Sequence, residues 1–253
     1  MPAEGVIAAG GAAVGMLFGL FGVGGSSFAT PVLALLGVPP LLAVASPLPA
    51  TLPSAVSAAI NYVRRGELDW RVAGLSIAGG LPATIVGAIL SRAVKGQALL
   101  VASGVVLAVV GVRVLRPVSL KLNLGAEKRR GRNWLVVAAA AGVGLFTGLL
   151  ANGGGFLLVP LYLLVLGLPM RTSSGTSLAV IAALSIPTAL SHWALGNIDW
   201  GVAVAFAAGS IPAAYLGGRL ARRLEGERLR LAFGWLLVWF AAYFVVRQLI
   251  QGR

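Results

Sequence analysis

Long apolar segments alternate with short polar stretches along all 253 residues of the chain. A helix needs about 20 mostly apolar residues to cross a bilayer, and several segments approach or exceed that length. The pattern therefore predicts an all-α polytopic membrane protein. Its ten predicted helical segments are residues 5–21, 28–38, 41–63, 70–91, 98–115, 133–150, 155–168, 172–195, 200–221 and 229–250.

The first five segments and the last five repeat each other on either side of a polar, basic linker at 116–132. From Leu36 onward, residue i matches residue i + 130, and the two are called repeat partners below. For example, Gly66-Glu67-Leu68-Asp69-Trp70 matches Gly196-Asn197-Ile198-Asp199-Trp200. We predict two transmembrane repeats, 1–115 and 133–253, of about five segments each. Because five is an odd number, the second repeat has inverted topology.

The distribution of basic residues predicts the orientation, because cytoplasmic loops are enriched in Lys and Arg. A cytoplasmic linker at 116–132 puts sixteen of the twenty basic residues inside and both chain termini outside. Membrane topology thus explains the net charge of +13, and we expect contact with lipid rather than nucleic acid. Met1–Gly11 has no basic residue, so we expect the first segment to be retained rather than cleaved as a signal peptide.

The composition disfavours several function classes. Only 11% of the residues are charged, against about 25% in a typical soluble domain. The absence of cysteine excludes disulfides, thiolate catalysis and cysteine metal ligands, and the absence of a P-loop argues against direct use of ATP. A hydrolase built on Ser177 and His192 is disfavoured, because fifteen helical residues separate them by about 22 Å. We expect no enzyme activity, no cofactor and no metal.

A cluster of glycines interrupts the apolar sequence near the start of each repeat. The residues are Gly22, Gly24, Gly25, Ser26 and Ser27 in the first repeat and Asn152, Gly153, Gly154 and Gly155 in the second. Glycine costs about 1 kcal/mol relative to alanine inside a helix, so each cluster predicts a break. Lipid cannot satisfy the backbone groups that a break frees. We therefore predict a glycine-broken helical hairpin at the start of each repeat, its backbone facing protein or a cavity.

A half-helix follows each predicted break. Ser26 or Ser27 is the expected N-cap of the first, with Pro31 in its first turn, and the second begins near Phe156 with Pro160 in the equivalent place. Helix N-termini offer free N–H groups and partial positive charge, which suit an anion. All seven acidic residues lie at segment ends or in loops, unlike the mid-membrane carboxylates typical of cation carriers. The pattern predicts a small anion held between two half-helix N-termini near the midplane.

Hydroxyl groups in the following segments are further candidates for the substrate site. Ser46 and Thr176 are repeat partners, and Ser177 follows Thr176 directly. These hydroxyls either line the pathway or bond back to their own helices. Sequence alone leaves the two alternatives equal.

Three polar residues near segment ends are candidates for a pathway or proton role. Asn61 is a possible lining residue, and Tyr62 is the repeat partner of His192, the only histidine. Histidine titrates near neutral pH and can carry a proton, although an interfacial histidine is more often structural.

The chain resembles the sulfite exporter TauE/SafE family of membrane anion transporters over essentially its whole length. The resemblance lies in the doubled glycine break with its downstream proline, in Gly175-Thr176-Ser177-Leu178 and in Gly196-Asn197-Ile198-Asp199-Trp200. The first repeat departs from this pattern, with Ala45-Ser46-Pro47-Leu48, which puts a symmetric site in doubt. The resemblance implies transport of sulfite, an organosulfonate or a related oxyanion across a bacterial inner membrane.

Two other functions stay open at this point. An anion channel differs from a carrier in mechanism rather than in the residues it needs, and a non-transporting membrane scaffold subunit needs no substrate. The sequence leaves open the identity of the anion, the direction of transport, the coupling and the oligomeric state.

Overall fold

Helices and turns make up residues 3–90, 108–116, 129–150 and 157–251, which are the residues that the computed structural model describes. No strand occurs in those ranges, which confirms the predicted all-α class. The helices are α1 (Glu4–Phe21), α2 (Gly25–Leu35), α3 (Pro40–Ala45), α4 (Leu48–Val63), α5 (Trp70–Leu90), α6 (108–115), α7 (Arg129–Leu150), α8 (Leu158–Leu164), α9 (Met170–Ala194), α10 (Trp200–Ala221) and α11 (Gly226–Gln251).

One predicted segment is divided in the structure. Residues 41–63 were expected as a single helix, but α3 ends at Ala45 and α4 begins at Leu48. Pro47 lies between them and has no N–H with which to bond the preceding turn, so the regular helix stops there. The repeat partner of Pro47 is Ser177, and α9 runs through that position without interruption.

The last residues of the predicted linker segment are helical. The helix α7 begins at Arg129, one turn earlier than the apolar pattern indicates, so part of the segment 116–132 is helical. Residues 117–128 lie outside the described part of the chain. In the predicted segment 98–115, the described residues 108–115 are helical, as expected.

Length, composition and exposure indicate a multi-pass membrane protein. Four stretches of the described chain are long and apolar enough to cross a bilayer: Glu4–Phe21, Leu42–Val63, Met170–Ala194 and Trp200–Ala221. Many large apolar side chains face outward, as lipid-exposed residues do. All six tryptophans are among them: Trp70, Trp134, Trp193, Trp200, Trp235 and Trp239.

Glycines bring two pairs of helices into very close contact. A Cβ on Gly15 of α1 would overlap the carbonyl oxygen of Ser210 in α10, and a Cβ on Gly144 of α7 would overlap that of Gly80 in α5. Small residues allow such close backbone approach between membrane helices. The two contacts correspond to each other in the repeat, because Ser210 and Gly80 are repeat partners and Gly144 matches Gly15 at the offset of 129 found near the breaks.

A pair of hydrogen bonds also recurs at repeat-partner positions. The backbone N–H of Asp69 donates to Thr176 Oγ1 at 3.0 Å, and that of Asp199 donates to Ser46 Oγ at 3.1 Å. Asp69 and Asp199 are repeat partners, as are Ser46 and Thr176. Each repeat therefore supplies the amide for one bond and the hydroxyl for the other.

Candidate functional site

The first glycine cluster breaks the helix, as predicted. The helix α1 ends at Phe21, and Gly22 adopts the left-handed conformation with φ 68°, which favours glycine. A Cβ on Gly22 would overlap the backbone of Ser174 in α9, so glycine is also required by the close packing. The break is buried in protein, as the lack of hydrogen-bonding partners in lipid demands.

The start of α2 differs in two respects from the prediction. The N-cap is Gly24 rather than Ser26 or Ser27, and the helix begins at Gly25, so both serines fall within its first turn. Because the helix starts earlier than expected, Pro31 is its seventh residue and lies in the helix interior, not in the first turn. Pro31 cannot donate the usual backbone bond to residue 27.

Two residues from other helices complete the end of α1. The last four carbonyls of a helix have no partner within it, and in α1 each of them accepts a hydrogen bond. Tyr62 of α4 and Ser174 of α9, both fully buried, supply most of the donors. The bonds are Gly22 N–H to Phe18 O at 2.9 Å, Tyr62 Oη to Gly19 O at 2.9 Å and Leu20 O at 3.1 Å, and Ser174 Oγ to Phe21 O at 2.9 Å.

Ser177 lies close to this break and has an unused hydroxyl. Its side chain is fully buried, and its Oγ has no hydrogen-bond partner within the described part of the chain. Ser174 is three residues earlier in α9 and contacts the break directly, and residues three apart share a helix face. Ser177 is thus a buried hydroxyl about 4.5 Å further along the face of α9 that meets the break.

The second glycine cluster, Asn152–Gly155, lies outside the described residues. The half-helix after it is present as α8, which begins at Leu158, within two residues of the predicted start. Pro160 is the third residue of α8, so its predicted place in the first turn is confirmed. There its missing N–H breaks no helical hydrogen bond.

The hydroxyls of Ser46 and Thr176 have specific partners in loops between helices. Each accepts a bond from a backbone N–H, of Asp199 and Asp69 respectively, and each side chain is fully buried. Neither bond is to the residue's own helix, although a bond of that kind is one of the two predicted alternatives. Because both hydroxyls hold loops in place, Ser177 is the one of these three hydroxyls that is left for a ligand.

The three pathway candidates lie in different surroundings. Asn61 is buried and donates through Nδ2 to the carbonyl of Tyr215 in α10 at 3.0 Å, so it joins two helices. Tyr62 caps the end of α1, as described above. His192 is partly exposed near the end of α9, with Nδ1 3.5 Å from Nδ2 of Asn197.

The site residues predicted from the sequence leave out Ser174, which is one of the possible pathway-lining hydroxyls of α9 and contacts the break. Ser174 stands in the hydroxyl-rich run of α9, yet its contact with Phe21, 153 residues earlier, depends on how α9 packs against α1. The signal in the sequence is that Ser174 lies three residues before Ser177, a spacing that places both on one helix face. No group of three or more His, Cys, Asp or Glu residues that could hold a metal occurs in the described ranges.

Comparison with known proteins identifies relatives over nearly the whole chain. The family model described as Sulfite exporter TauE/SafE matches residues 7–244. A probable membrane transporter protein of Xylella fastidiosa (strain 9a5c) is 29% identical over 242 residues, which cover 94% of this chain and 93% of the relative. The probable membrane transporter protein YunE of Bacillus subtilis (strain 168) is 24% identical, over 83% of this chain and 84% of its own. No solved structure matches.

Proposed function

The chain belongs to the sulfite exporter TauE/SafE family, and from that premise we propose that it is a secondary transporter for a small anion. The family and the names of the relatives make the protein a membrane transporter. The proposed substrates are sulfite or an organosulfonate, and the proposed location is the plasma membrane of a bacterium with the 116–132 linker in the cytoplasm.

The proposed architecture is a pair of inverted repeats that move relative to each other around the bound anion. The reciprocal bonds Asp69–Thr176 and Asp199–Ser46 support it, because a two-fold relation between the repeats turns each bond into the other. The recurrent glycine contacts of α1 with α10 and of α7 with α5 support the same relation.

The proposed binding site is the first glycine break, between the end of α1 and the start of α2, together with the face of α9 that carries Ser174 and Ser177. The single observation that carries it is the buried, unpartnered hydroxyl of Ser177 on the α9 face that contacts the break. An unmet hydroxyl inside a protein costs about 1–3 kcal/mol, so a donor left free there suits a ligand that accepts it. The N–H groups and dipole of α2 supply the remaining attraction for an anion. Gly153, Gly154, Gly155 and Asn152 are the corresponding residues of the proposed second half-site.

Sulfite flux into proteoliposomes that contain only the purified protein tests the proposal. We expect saturable flux in the native protein, no flux in Gly24→Val, and a KM raised about tenfold in Ser177→Ala, which loses one hydrogen bond to a charged group. Ser185→Ala is the matched control, because Ser185 lies on the same helix and donates to the carbonyl of Ala182 at 2.8 Å. An unchanged KM in Ser177→Ala, or an equal rise in Ser185→Ala, contradicts the proposed site.

The same vesicles separate the carrier from its rivals. A carrier accelerates efflux of labelled sulfite when unlabelled anion is present on the other side, whereas a channel does not. Absence of flux from the purified protein favours a scaffold subunit. A thermal-shift screen of sulfite, sulfate, thiosulfate, taurine, sulfoacetate and chloride identifies the substrate, since a ligand at a hundredfold excess over its Kd stabilises by about 2.7 kcal/mol.

A further inference from the structure

The glycine break places opposite charges next to each other. The carbonyl end of α1 carries about half a negative charge, and the N-terminal end of α2 carries about half a positive charge. Only Gly22, Val23 and Gly24 separate the two ends along the chain. An anion near α2 would therefore be attracted by one helix end and repelled by the other, and the balance decides whether the break binds it.

Hydrogen-bond donors from other helices contact the negative, carbonyl end of α1. Tyr62 and Ser174 come from two different helices, are fully buried, and between them donate to three carbonyls at the end of α1. Each hydroxyl hydrogen, the positive end of an O–H dipole, points at the carbonyl end of α1, with donor and acceptor oxygens 2.9–3.1 Å apart. The single hydrogen of Tyr62 is shared between Gly19 O and Leu20 O. Together with the bond from Gly22 N–H, they leave none of the last four carbonyls without a donor.

We propose that Tyr62 and Ser174 are positioning residues of the anion site, which offset the negative end of α1 so that the positive end of α2 dominates the break. This inference rests on the proposed function. It gives Tyr62 an electrostatic role in place of the pathway or proton role expected from the sequence. The role belongs to the first repeat, because Val44, the repeat partner of Ser174, has no donor.

Such a role has a consequence for specificity. Coulomb energy is proportional to the charge of the ligand, so removal of a donor weakens binding of a dianion by the square of the factor for a monoanion at the same place. A residue that only stabilises the fold weakens both anions by the same factor. The ratio of the two affinities therefore distinguishes electrostatic positioning from a structural role.

Tyr62→Phe and Ser174→Ala test the proposal in the full-length purified protein. The probes are sulfite at alkaline pH, where it carries two charges, and methanesulfonate, which carries one. We expect each variant to bind sulfite about tenfold and methanesulfonate about threefold more weakly, so that the ratio changes about threefold. Tyr162→Phe is the control, since Tyr162 is also fully buried but donates to Ser76 Oγ at 2.8 Å instead of a helix end.

Equal losses for the two anions in both Tyr62→Phe and Ser174→Ala overturn the proposal, as does the same change of ratio in Tyr162→Phe. If Tyr62→Phe does not fold, Ser174→Ala alone decides. Native protein that binds neither anion refutes the proposed function, and this inference with it. Native binding with an unchanged ratio in the variants refutes only the positioning role.

Discussion

The turns at the ends of α4 and α9 have the same backbone and different chemistry. Gly66 and Gly196 adopt φ 67° and 68°, and each turn leads into an aspartate whose N–H bonds a hydroxyl of the other repeat. Both aspartates then cap the next helix, with Oδ1 accepting from the N–H three residues on at 3.0 and 3.1 Å. The left-handed glycine and the capping carboxylate are thus common to both repeats.

The side chains around the two turns differ in charge. Beside the first turn, Glu67 Oε1 lies 3.5 Å from Nη1 of Arg171, and Nη2 of Arg171 donates to Leu224 O at 2.5 Å. The repeat partners of Glu67 and Arg171 are Asn197 and Leu41, which are uncharged. Arg171, at the start of α9, therefore links the α4–α5 turn to the α10–α11 turn. The uncharged partner residues cannot form this ion pair at the α9–α10 turn. The two turns therefore share a backbone conformation, whereas the charges around them differ.

The sharpest test of this comparison exchanges a glycine with its repeat partner. A Cβ on Gly175 would lie 2.8 Å from Tyr62 Cβ and overlap the carbonyl oxygen of Glu67, whereas its partner Ala45 already has a Cβ. We expect Gly175→Ala to destabilise the protein by about 3 kcal/mol, because the backbone of the turn must move. Thermal unfolding measures the loss.

Ala45→Gly is the reciprocal control, with an expected loss of about 1 kcal/mol from helix propensity. Equal losses in the two variants would show that the close contact at Gly175 does not constrain the first turn.

Removal of the ion pair tests the charge difference. Arg171→Leu introduces the residue of its repeat partner and leaves Glu67, whose side chain is only 19% exposed, without its cation. We expect a loss of about 1–2 kcal/mol, less than for a fully buried pair because water partly screens the charges. The melting temperature in low salt checks it.

The double variant Glu67→Asn/Arg171→Leu makes the first turn resemble the second and removes both charges. It should recover most of the stability lost in Arg171→Leu. A double variant as unstable as the single one would mean that Arg171 acts through its bond to Leu224 O and not through Glu67.

The smallest expected effect tests the similarity of the turns. Thr176→Val and Ser46→Ala each remove the hydroxyl that accepts an aspartate N–H, at a cost of about 1 kcal/mol. Because the two bonds differ by only 0.1 Å, we expect the losses to agree within about 0.5 kcal/mol. Denaturant unfolding of the two variants in parallel measures the difference, and a clearly larger loss in one would show that the turns are not energetically equivalent.

Sequence reasoning found the features that lipid imposes. Apolar runs gave helices such as α5 and α10 to within a residue, and the first glycine cluster gave a real break after Phe21. It missed the interruption at Pro47, because the apolar pattern continues across it. The repeat partner of Pro47 is Ser177, and this replacement of serine by proline is the sequence signal for the interruption.

The details of the site depend on contacts between distant parts of the chain. Serines after a glycine cluster suggest an N-cap, yet the helix α2 begins before Ser26. Its N-cap is Gly24, which has no side chain to form a capping hydrogen bond. The bonds of Tyr62 and Ser174 to the end of α1 span 42 to 153 residues and require α4 and α9 to pack on the break. Such packing between distant helices cannot be predicted from the residues next to the break.

The most direct test of the central claim is to locate the bound anion. Selenite has the shape and charge of sulfite, and its selenium is visible by anomalous diffraction in crystals grown with it. Our account predicts a selenium peak within hydrogen-bonding reach of Ser177 Oγ and the first N–H groups of α2. A selenium peak at Arg171 near Leu224, or no selenium peak at the glycine break, would contradict our account.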